Sequence, residues 1–215
     1  MTNSAPSKAI EQHIYLLRHG QPQLRNALLG HTDSHLDELG WSQMQVACDQ
    51  LSDIERIVSS PLQRCAAFAE KLGHQLNQSI DFDSRLKECY FGAWDGLTYA
   101  ELQRRYPEDS SAFFQHPSKH SPPNGEPLLE FHQRVVNGFC QQVQGCPTLS
   151  TLIITHAGVI RSLIAWCLEM TVELGHQFQR LTIDYGSITK LSLFHFEDKT
   201  MFPKLVQLNS AGCVV

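Results

Sequence analysis

The chain repeats one pattern three times: a short, mainly apolar run followed directly by small, polar or basic residues. The apolar runs cover residues 14–17, 54–58 and 152–154. After the second and third runs, apolar residues recur at the spacing of a helix. Continuous apolar strands that alternate with helices are typical of a mostly parallel sheet covered by helices on both faces. The pattern therefore predicts an α/β fold.

Local signals predict where several helices begin. Ser59 or Ser60 is expected to cap the helix after the second apolar run, with Pro61 in its first turn. Thr98 and Glu101 have the spacing of a capping box, so Glu101 is assigned to the cap. The remaining predicted elements are amphipathic helices over 36–51 and 128–143, a helix that begins near residue 158, and strands over 187–194 and 204–208.

A long segment rich in Pro, Ser and His covers residues 107–127. Loops of this length in a compact domain are usually lids, binding loops or disordered. We expect a lid-like loop, in which His116 and His120 are polar side chains and not metal ligands. Residues 1–10 are expected to be flexible, and the whole chain, 1–215, is expected to form one domain.

Composition narrows the class of protein. The formal net charge is −5, which gives no general attraction to nucleic acid or to an anionic membrane surface. The longest apolar stretches are too short to cross a bilayer, and the polar N-terminus does not resemble a secretory signal. The seven cysteines are odd in number and form no CxxC pair. We expect buried free thiols in a reducing compartment, and therefore a cytoplasmic protein.

Basic residues stand where the predicted strands end. Arg18 and His19 follow the first strand, His156 follows the third, and Arg64 lies one turn into the second helix. The carboxyl ends of parallel strands meet at one sheet edge, so these side chains are expected to converge. Arginine forks match phosphate oxygens, helix N-termini near 59–61 and 157–158 add donors, and histidine is a competent nucleophile. Such a site can transfer a phosphoryl group without a metal.

Four ordered motifs resemble those of the histidine phosphatase superfamily, the phosphoglycerate-mutase-like proteins. They are LLRHG, which ends at Gly20, the SSPLQR segment that ends at Arg64, the LKECYFGAWDG segment that ends at Gly96, and THAGVIR, which ends at Arg161. The segment GHTDSHLDELGWSQ resembles the family's stretch after the first motif. The resemblance covers about residues 14–170 and implies a three-layer α/β/α sandwich with a mostly parallel central sheet.

The resemblance implies a role for each matching residue. His19 would be the phosphorylated nucleophile, and Arg18, Arg64 and His156 would bind the phosphoryl group. Glu88 would be the general acid for the leaving oxygen and then the base for water. Many members also have a phosphate-binding asparagine on a longer segment after the first motif. The segment here, 20–30, is short and leaves that role unassigned.

Three further positions are candidate substrate-binding residues: Gln21, Asn26 and Ala157. Asn26 does not lie at the offset of the family's asparagine. Asp95 is the second candidate for the general acid. His31 and His35 either contact substrate or are solvated loop side chains.

The resemblance implies a metal-independent phosphomonoester hydrolase that needs no cofactor and acts on a small molecule. It is closest to the α-ribazole-5′-phosphate phosphatase group of cobalamin nucleotide-loop assembly. The alternatives are a small-molecule phosphatase of other specificity, a phosphoglycerate mutase, or a regulatory module that binds phosphate without turnover. A histidine-rich metalloprotein would need tight ligand spacings that the sequence lacks. The sequence sets no oligomeric state.

Overall fold

The computed structural model describes residues 9–211, and six strands of that part form one sheet. The strands are β1 (Ile10–Arg18), β2 (Arg56–Ser59), β3 (Ile80–Phe82), β4 (Thr151–Thr155), β5 (Ser187–His195) and β6 (Met201–Ala211). Their order across the sheet is β3-β2-β4-β1-β5-β6. The pairs among β3, β2, β4 and β1 are parallel, whereas β5 is antiparallel to both β1 and β6. This mostly parallel sheet confirms the predicted fold class.

The register of the parallel strands brings three strand ends together. Arg18 at the end of β1 pairs with Thr155 at the end of β4, and Ser59 at the end of β2 pairs with Ile154. The residues that follow these strands therefore leave the sheet side by side. This places His19 beside His156, as expected from the sequence.

Seven helices in the described residues surround this sheet. They are α1 (Glu38–Cys48), α2 (Gln63–Leu76), α3 (Tyr99–Arg105), α4 (Pro107–Gln115), α5 (Leu128–Gln144), α6 (Ala157–Cys167) and α7 (Gln177–Arg180).

Helices cover both faces of the sheet through two separate apolar cores. On one face, Leu17 and Ile57 pack with Met44 of α1 and Phe68 of α2. On the other, Leu16 and Ile153 pack with residues of α5 and α6, among them Phe131, Phe139, Ile160 and Leu163. Strands that are buried on both faces explain the continuous apolar runs of the sequence.

Two local predictions are wrong. The N-cap of α2 is Leu62, with no side-chain cap, instead of Ser59 or Ser60. The N–H of Gln63 instead donates to the Asp33 carboxylate, at 2.7 Å. The predicted loop over 107–127 is helical over 107–115, because Pro107 stands in the first turn with two acidic residues after it. The capping box of Thr98 and Glu101 is confirmed.

The predicted flexible segment, 1–10, lies outside the described residues except for its last two, and Ile10 already belongs to β1. Cys213 also lies outside them. The six cysteines within residues 9–211 are free thiols, four of them buried. No helix in that range combines the length and the apolar character needed to cross a membrane.

Candidate active site

His19 lies at the end of β1 and is 5% exposed. Its backbone N–H donates to the carbonyl of Thr155, so the residue stays in register with β4. Its Nδ1–H donates to the carbonyl of Gly20 at 2.8 Å. A carbonyl can only accept, so the neutral ring carries its lone pair on Nε2. Burial, followed by the positive charges of Arg64 and Arg18, holds the His19 pKa well below its ordinary value.

Arg64 is fully buried in the first turn of α2. Its guanidinium donates to the carbonyls of Thr32 at 3.0 Å, Gly30 at 2.7 Å and Leu29 at 3.3 Å. These three acceptors fix the plane of the guanidinium without neutralising its charge. Its buried Nε–H has no partner in the part of the chain that is described.

Asp95 holds the segment that supplies those carbonyls. Its carboxylate accepts from the backbone N–H groups of His31 at 2.7 Å, Thr32 at 2.8 Å, Gly30 at 3.2 Å and Phe91 at 3.3 Å. A carboxylate that is bound by four N–H groups is an anchor for the backbone. Asp95 therefore positions the segment that orients Arg64, which leaves Glu88 as the better-placed carboxyl for proton transfer.

Arg18 is held by the segment just before β5. Its Nη1 donates to the carbonyl of Ile183 at 2.5 Å, and its Cζ lies 3.8 Å from the centre of the Tyr185 ring. The Tyr185 ring is also 5.6 Å from the ring of His19. Burial lowers the Arg18 pKa from its ordinary value, and Tyr185 partly offsets this. Like Arg64, Arg18 has a buried Nε–H that lacks a partner among residues 9–211.

His156 is fully buried and caps the start of α6. Its ring centre lies 5.2 Å from that of His19, and its Nε2 is 2.8 Å from the Ser60 hydroxyl. Burial and the charge of Arg64 hold its pKa well below the ordinary value. Arg18, His19, Arg64 and His156 together form what we call the basic pocket.

Glu88 reaches the N-terminus of α6. Its Oε2 accepts from the N–H of Gly158 at 3.0 Å, and its Oε1 accepts from the N–H of Cys89 at 3.0 Å. A Cβ at position 158 would lie 2.2 Å from Glu88 Oε1, so glycine is required for this approach. The sequence placed Glu88 and Ala157 near the basic pocket, and the structure brings both to the first turn of α6.

A cavity of about 260 Å³ opens beside Glu88 and Gly158, and six of its fifteen lining residues are aromatic. We call it the aromatic cavity. It is lined by Leu28, Glu88, Cys89, Phe91, Tyr99, Phe113, Phe114, Pro117, Glu126, Leu128, Phe131, Gly158, Arg161, Phe178 and Gln179. The predicted lid segment contributes four of these residues, two from α4, Phe113 and Phe114, and two from the chain after it, Pro117 and Glu126.

Two predicted substrate-binding residues, Gln21 and Asn26, make hydrogen bonds outside the basic pocket, and their contact with substrate stays a prediction. The Gln21 amide donates to Asp37, the N-cap of α1, at 2.8 Å. Asn26 is exposed with a positive φ of 55°, and its carbonyl accepts from the N–H of Tyr99. Neither side chain forms a hydrogen bond with a residue of the basic pocket. The Nε2–H of His31 donates to the carbonyl of Glu88 at 3.0 Å, while His35 is exposed.

Residues 181–186 and Arg161 belong to the site but were not predicted. The sequence of residues 181–186, LTIDYG, shows no chemical motif. The groups of this segment that bind the arginines are the backbone carbonyls of Leu181 and Ile183. Arg161 did carry a signal, because it ends the quoted THAGVIR motif. Within the described residues no group of three or more His, Cys, Asp or Glu side chains could hold a metal ion.

The basic pocket can bind an oxyanion and attack it. Arg18 and Arg64 each have a buried Nε–H without a partner in the described residues. Leaving such donors unpaired costs free energy, so an oxyanion that accepts from them would stabilise the pocket. Burial, followed by the charges of Arg64 and Arg18, lowers the His19 pKa and so keeps its ring neutral, with Nε2 free to attack. A carboxyl group, Glu88, lies at the boundary with the aromatic cavity and can exchange a proton there.

One protein-family model matches most of the chain. The family model of the histidine phosphatase superfamily (branch 1) matches residues 14–205. Bifunctional protein Rv2228c of Mycobacterium tuberculosis is 34% identical over 181 residues, 82% of this chain and 49% of that protein. The chain therefore spans about half the length of that curated relative.

Two solved structures share the fold over nearly the whole chain. Mycobacterial glucosyl-3-phosphoglycerate phosphatase superposes with a TM-score of 0.82 at 26% identity, covering 93% of this chain and 99% of that one. The alpha-ribazole phosphatase from Shigella flexneri gives 0.78 at 24% identity, covering 93% and 96%. At that identity the second likeness concerns the fold alone.

Proposed function

The chain belongs to the histidine phosphatase superfamily, and on that premise we propose that it hydrolyses phosphomonoesters through a phosphohistidine on His19. The observation that carries the proposal is the pair of unpartnered, buried Nε–H groups of Arg18 and Arg64 around a neutral imidazole. A phosphate dianion would accept from both donors. It would also offset two positive charges that the protein leaves unpaired.

In the first step, His19 Nε2 attacks phosphorus and the bond from phosphorus to the ester oxygen breaks. The lone pair is available because Nδ1–H is committed to Gly20. Arg18, Arg64 and His156 bind the three equatorial oxygens and stabilise the charge that develops on them. The arginines supply the positive charge that stabilises these oxygens, so we propose that no metal ion is needed.

Glu88 protonates the departing alkoxide in this step. It then takes a proton from the water that attacks the phosphohistidine, which releases phosphate and restores neutral His19. The two N–H donors to Glu88 orient its carboxyl group through both steps.

The aromatic cavity favours a leaving group with a flat or apolar body. It lies beside Glu88, where the leaving oxygen would be protonated, and phenylalanines make up much of its lining. This supports α-ribazole 5′-phosphate, whose base is aromatic, over the small and charged ester of a phosphoglycerate mutase. A phosphatase of other specificity remains the first alternative.

The experiment that tests the proposal is trapping of the intermediate. Incubation with a ³²P-labelled phosphomonoester, followed by a rapid alkaline quench, should label one histidine, which peptide mapping identifies as His19. His19→Ala should lose at least about 10³-fold in kcat, as expected when a nucleophile is removed. His74→Ala, at an exposed position of α2, is the matched control.

Three results would decide against parts of the proposal. Label on a histidine other than His19 would exclude the assigned nucleophile. Binding of inorganic phosphate without turnover of any ester would favour the regulatory module. Activity that is lost on treatment with a chelator and restored by a metal ion would refute metal independence. A panel that includes α-ribazole 5′-phosphate and 3-phosphoglycerate tests the leaving group.

A further inference from the structure

Three charged residues line the aromatic cavity, and two of them are already bound by other groups. Glu126 accepts from Arg134 through both oxygens, at 2.7 Å each. Glu88 accepts from two backbone N–H groups. The third is Arg161, whose charge is not paired with any carboxylate within 4 Å in the described ranges.

Arg161 is anchored by one end only. Its Nε donates to the carbonyl of Leu181 at 2.8 Å, and the rest of the guanidinium has no hydrogen bond to residues 9–211. Anchoring at Nε leaves the two Nη groups as a fork that can bind oxygen acceptors. Burial lowers the Arg161 pKa from its ordinary value, so this charge is held in a partly desolvated place.

The same segment anchors a residue of the basic pocket. Leu181 accepts from Arg161, and Ile183, two residues later, accepts from Arg18. Arg161 also lies three residues after Gly158 on α6, and residues at this spacing share a helix face. The free fork therefore belongs to the face of α6 that Glu88 contacts, close to where the ester oxygen would leave.

We propose that Arg161 is a specificity-determining residue that binds an oxygen acceptor on the leaving group, a hydroxyl or a carboxylate close to the ester. The inference rests on the proposed function and narrows its substrate class. The substrate is a phosphomonoester whose leaving group combines an aromatic or apolar body with such an acceptor. The aromatic or apolar part of the leaving group fills the aromatic cavity, and its oxygen acceptor binds the guanidinium of Arg161.

Three esters that differ in one group provide the test. They are 3-phenylpropyl phosphate, its 2-hydroxy derivative and its 2-carboxy derivative. The wild-type protein should favour one substituted ester over the parent by about 10- to 150-fold in kcat/KM, the factor expected of a hydrogen bond to a charged group. The ester that is favoured identifies the acceptor as a hydroxyl or a carboxylate.

Arg161→Met should bring this ratio close to one, and Arg161→Lys should retain part of it, because an ammonium group cannot form the fork. The ratio is taken within one variant, so partial loss of folded protein does not affect it. Arg180→Met, at an exposed arginine just before Leu181, should keep the wild-type ratio.

The outcomes separate this inference from the proposed function. Wild-type ratios near one for both derivatives, or a preference that Arg161→Met leaves intact, would overturn the role of Arg161 while turnover itself supports the phosphatase. No hydrolysis of any of the three esters, together with no labelled His19, would overturn the phosphatase and with it this inference.

Discussion

The basic pocket and the aromatic cavity touch at Glu88, but the chain builds them differently. Arg18, His19 and His156 follow directly from the ends of β1 and β4, whose register fixes their positions. The cavity takes its walls from α3, α4, α5, α6 and α7, and aromatic side chains contact one another between some of these elements, as Phe131 does with Phe178. Strand ends provide a rigid frame for the phosphoryl chemistry, whereas packed helices provide a shape for the leaving group. On the proposed function, separate parts of the molecule set reaction type and specificity.

Glu88 stands at the boundary, and its substitution should have the largest effect. Glu88→Gln should slow hydrolysis of an alkyl phosphate by about 10²–10⁴-fold more than that of p-nitrophenyl phosphate. The reason is that an alkoxide needs a proton to leave and a nitrophenolate hardly does. The ratio of the two kcat/KM values measures this, because kcat/KM reports the first step, whereas hydrolysis of the phosphohistidine is common to both substrates. Equal slowing of both substrates would remove Glu88 from the role of general acid.

Asp95 tests whether the basic pocket depends on its support. Asp95→Asn replaces an acceptor of four N–H groups by an amide with a single acceptor oxygen, so the segment that orients Arg64 should loosen. We expect inorganic phosphate to bind about 10- to 100-fold more weakly, as measured by calorimetry. Asp109→Asn, on the exposed side of α4, is the control. Unchanged phosphate affinity in Asp95→Asn would show that Arg64 holds its position without this carboxylate.

The two buried imidazoles of the basic pocket should make stability depend on pH. Folded His19 and His156 have lowered pKa values, whereas unfolded histidine titrates near 6.5, so the unfolded state binds more protons below that pH. The free energy of unfolding should therefore fall as pH drops below about 6.5, by up to about 1.4 kcal/mol per pH unit for each imidazole. Urea unfolding between pH 5 and 7.5 measures the slope. His156→Gln should reduce it, and a slope identical to that of the wild type would contradict the assignment.

Phe114 of α4 offers the smallest and most selective change in the aromatic cavity. It is 43% exposed, so Phe114→Ala removes cavity wall at little cost to the core. We expect KM for 3-phenylpropyl phosphate to rise by about 3- to 10-fold relative to KM for ethyl phosphate. Phe202→Ala, on the edge strand β6, is the matched control. Equal changes for both esters would mean that the cavity does not hold the leaving group.

The difference between strand ends and packed helices also explains which site residues could be predicted from the sequence. Arg18, His19 and His156 are next to apolar runs, so local pattern and strand register suffice to bring them together. The role of Asp95 escaped prediction because its partners, Gly30, His31 and Thr32, lie more than 60 residues earlier and use backbone N–H groups.

Other features were missed for lack of a periodic pattern. Strand β3 has three residues, two of them exposed, so no apolar run marks it. Tyr185 meets Arg18 only through tertiary packing. For α4 a signal was present, Pro107 followed by two acids, but the Pro, Ser and His content around it favoured a loop.

The backbone carbonyls of Leu181 and Ile183 have a consequence for how this protein can vary. Any residue offers the same carbonyl, so the arginine anchors alone make no demand on the side chains at these two positions. The apolar core does make one, because Ile183 is buried in it and Leu181 packs against it. An inserted or deleted residue between them would move one acceptor relative to the other. The two arginine anchors therefore constrain the length of this segment, while the core constrains its composition to apolar side chains at 181 and 183.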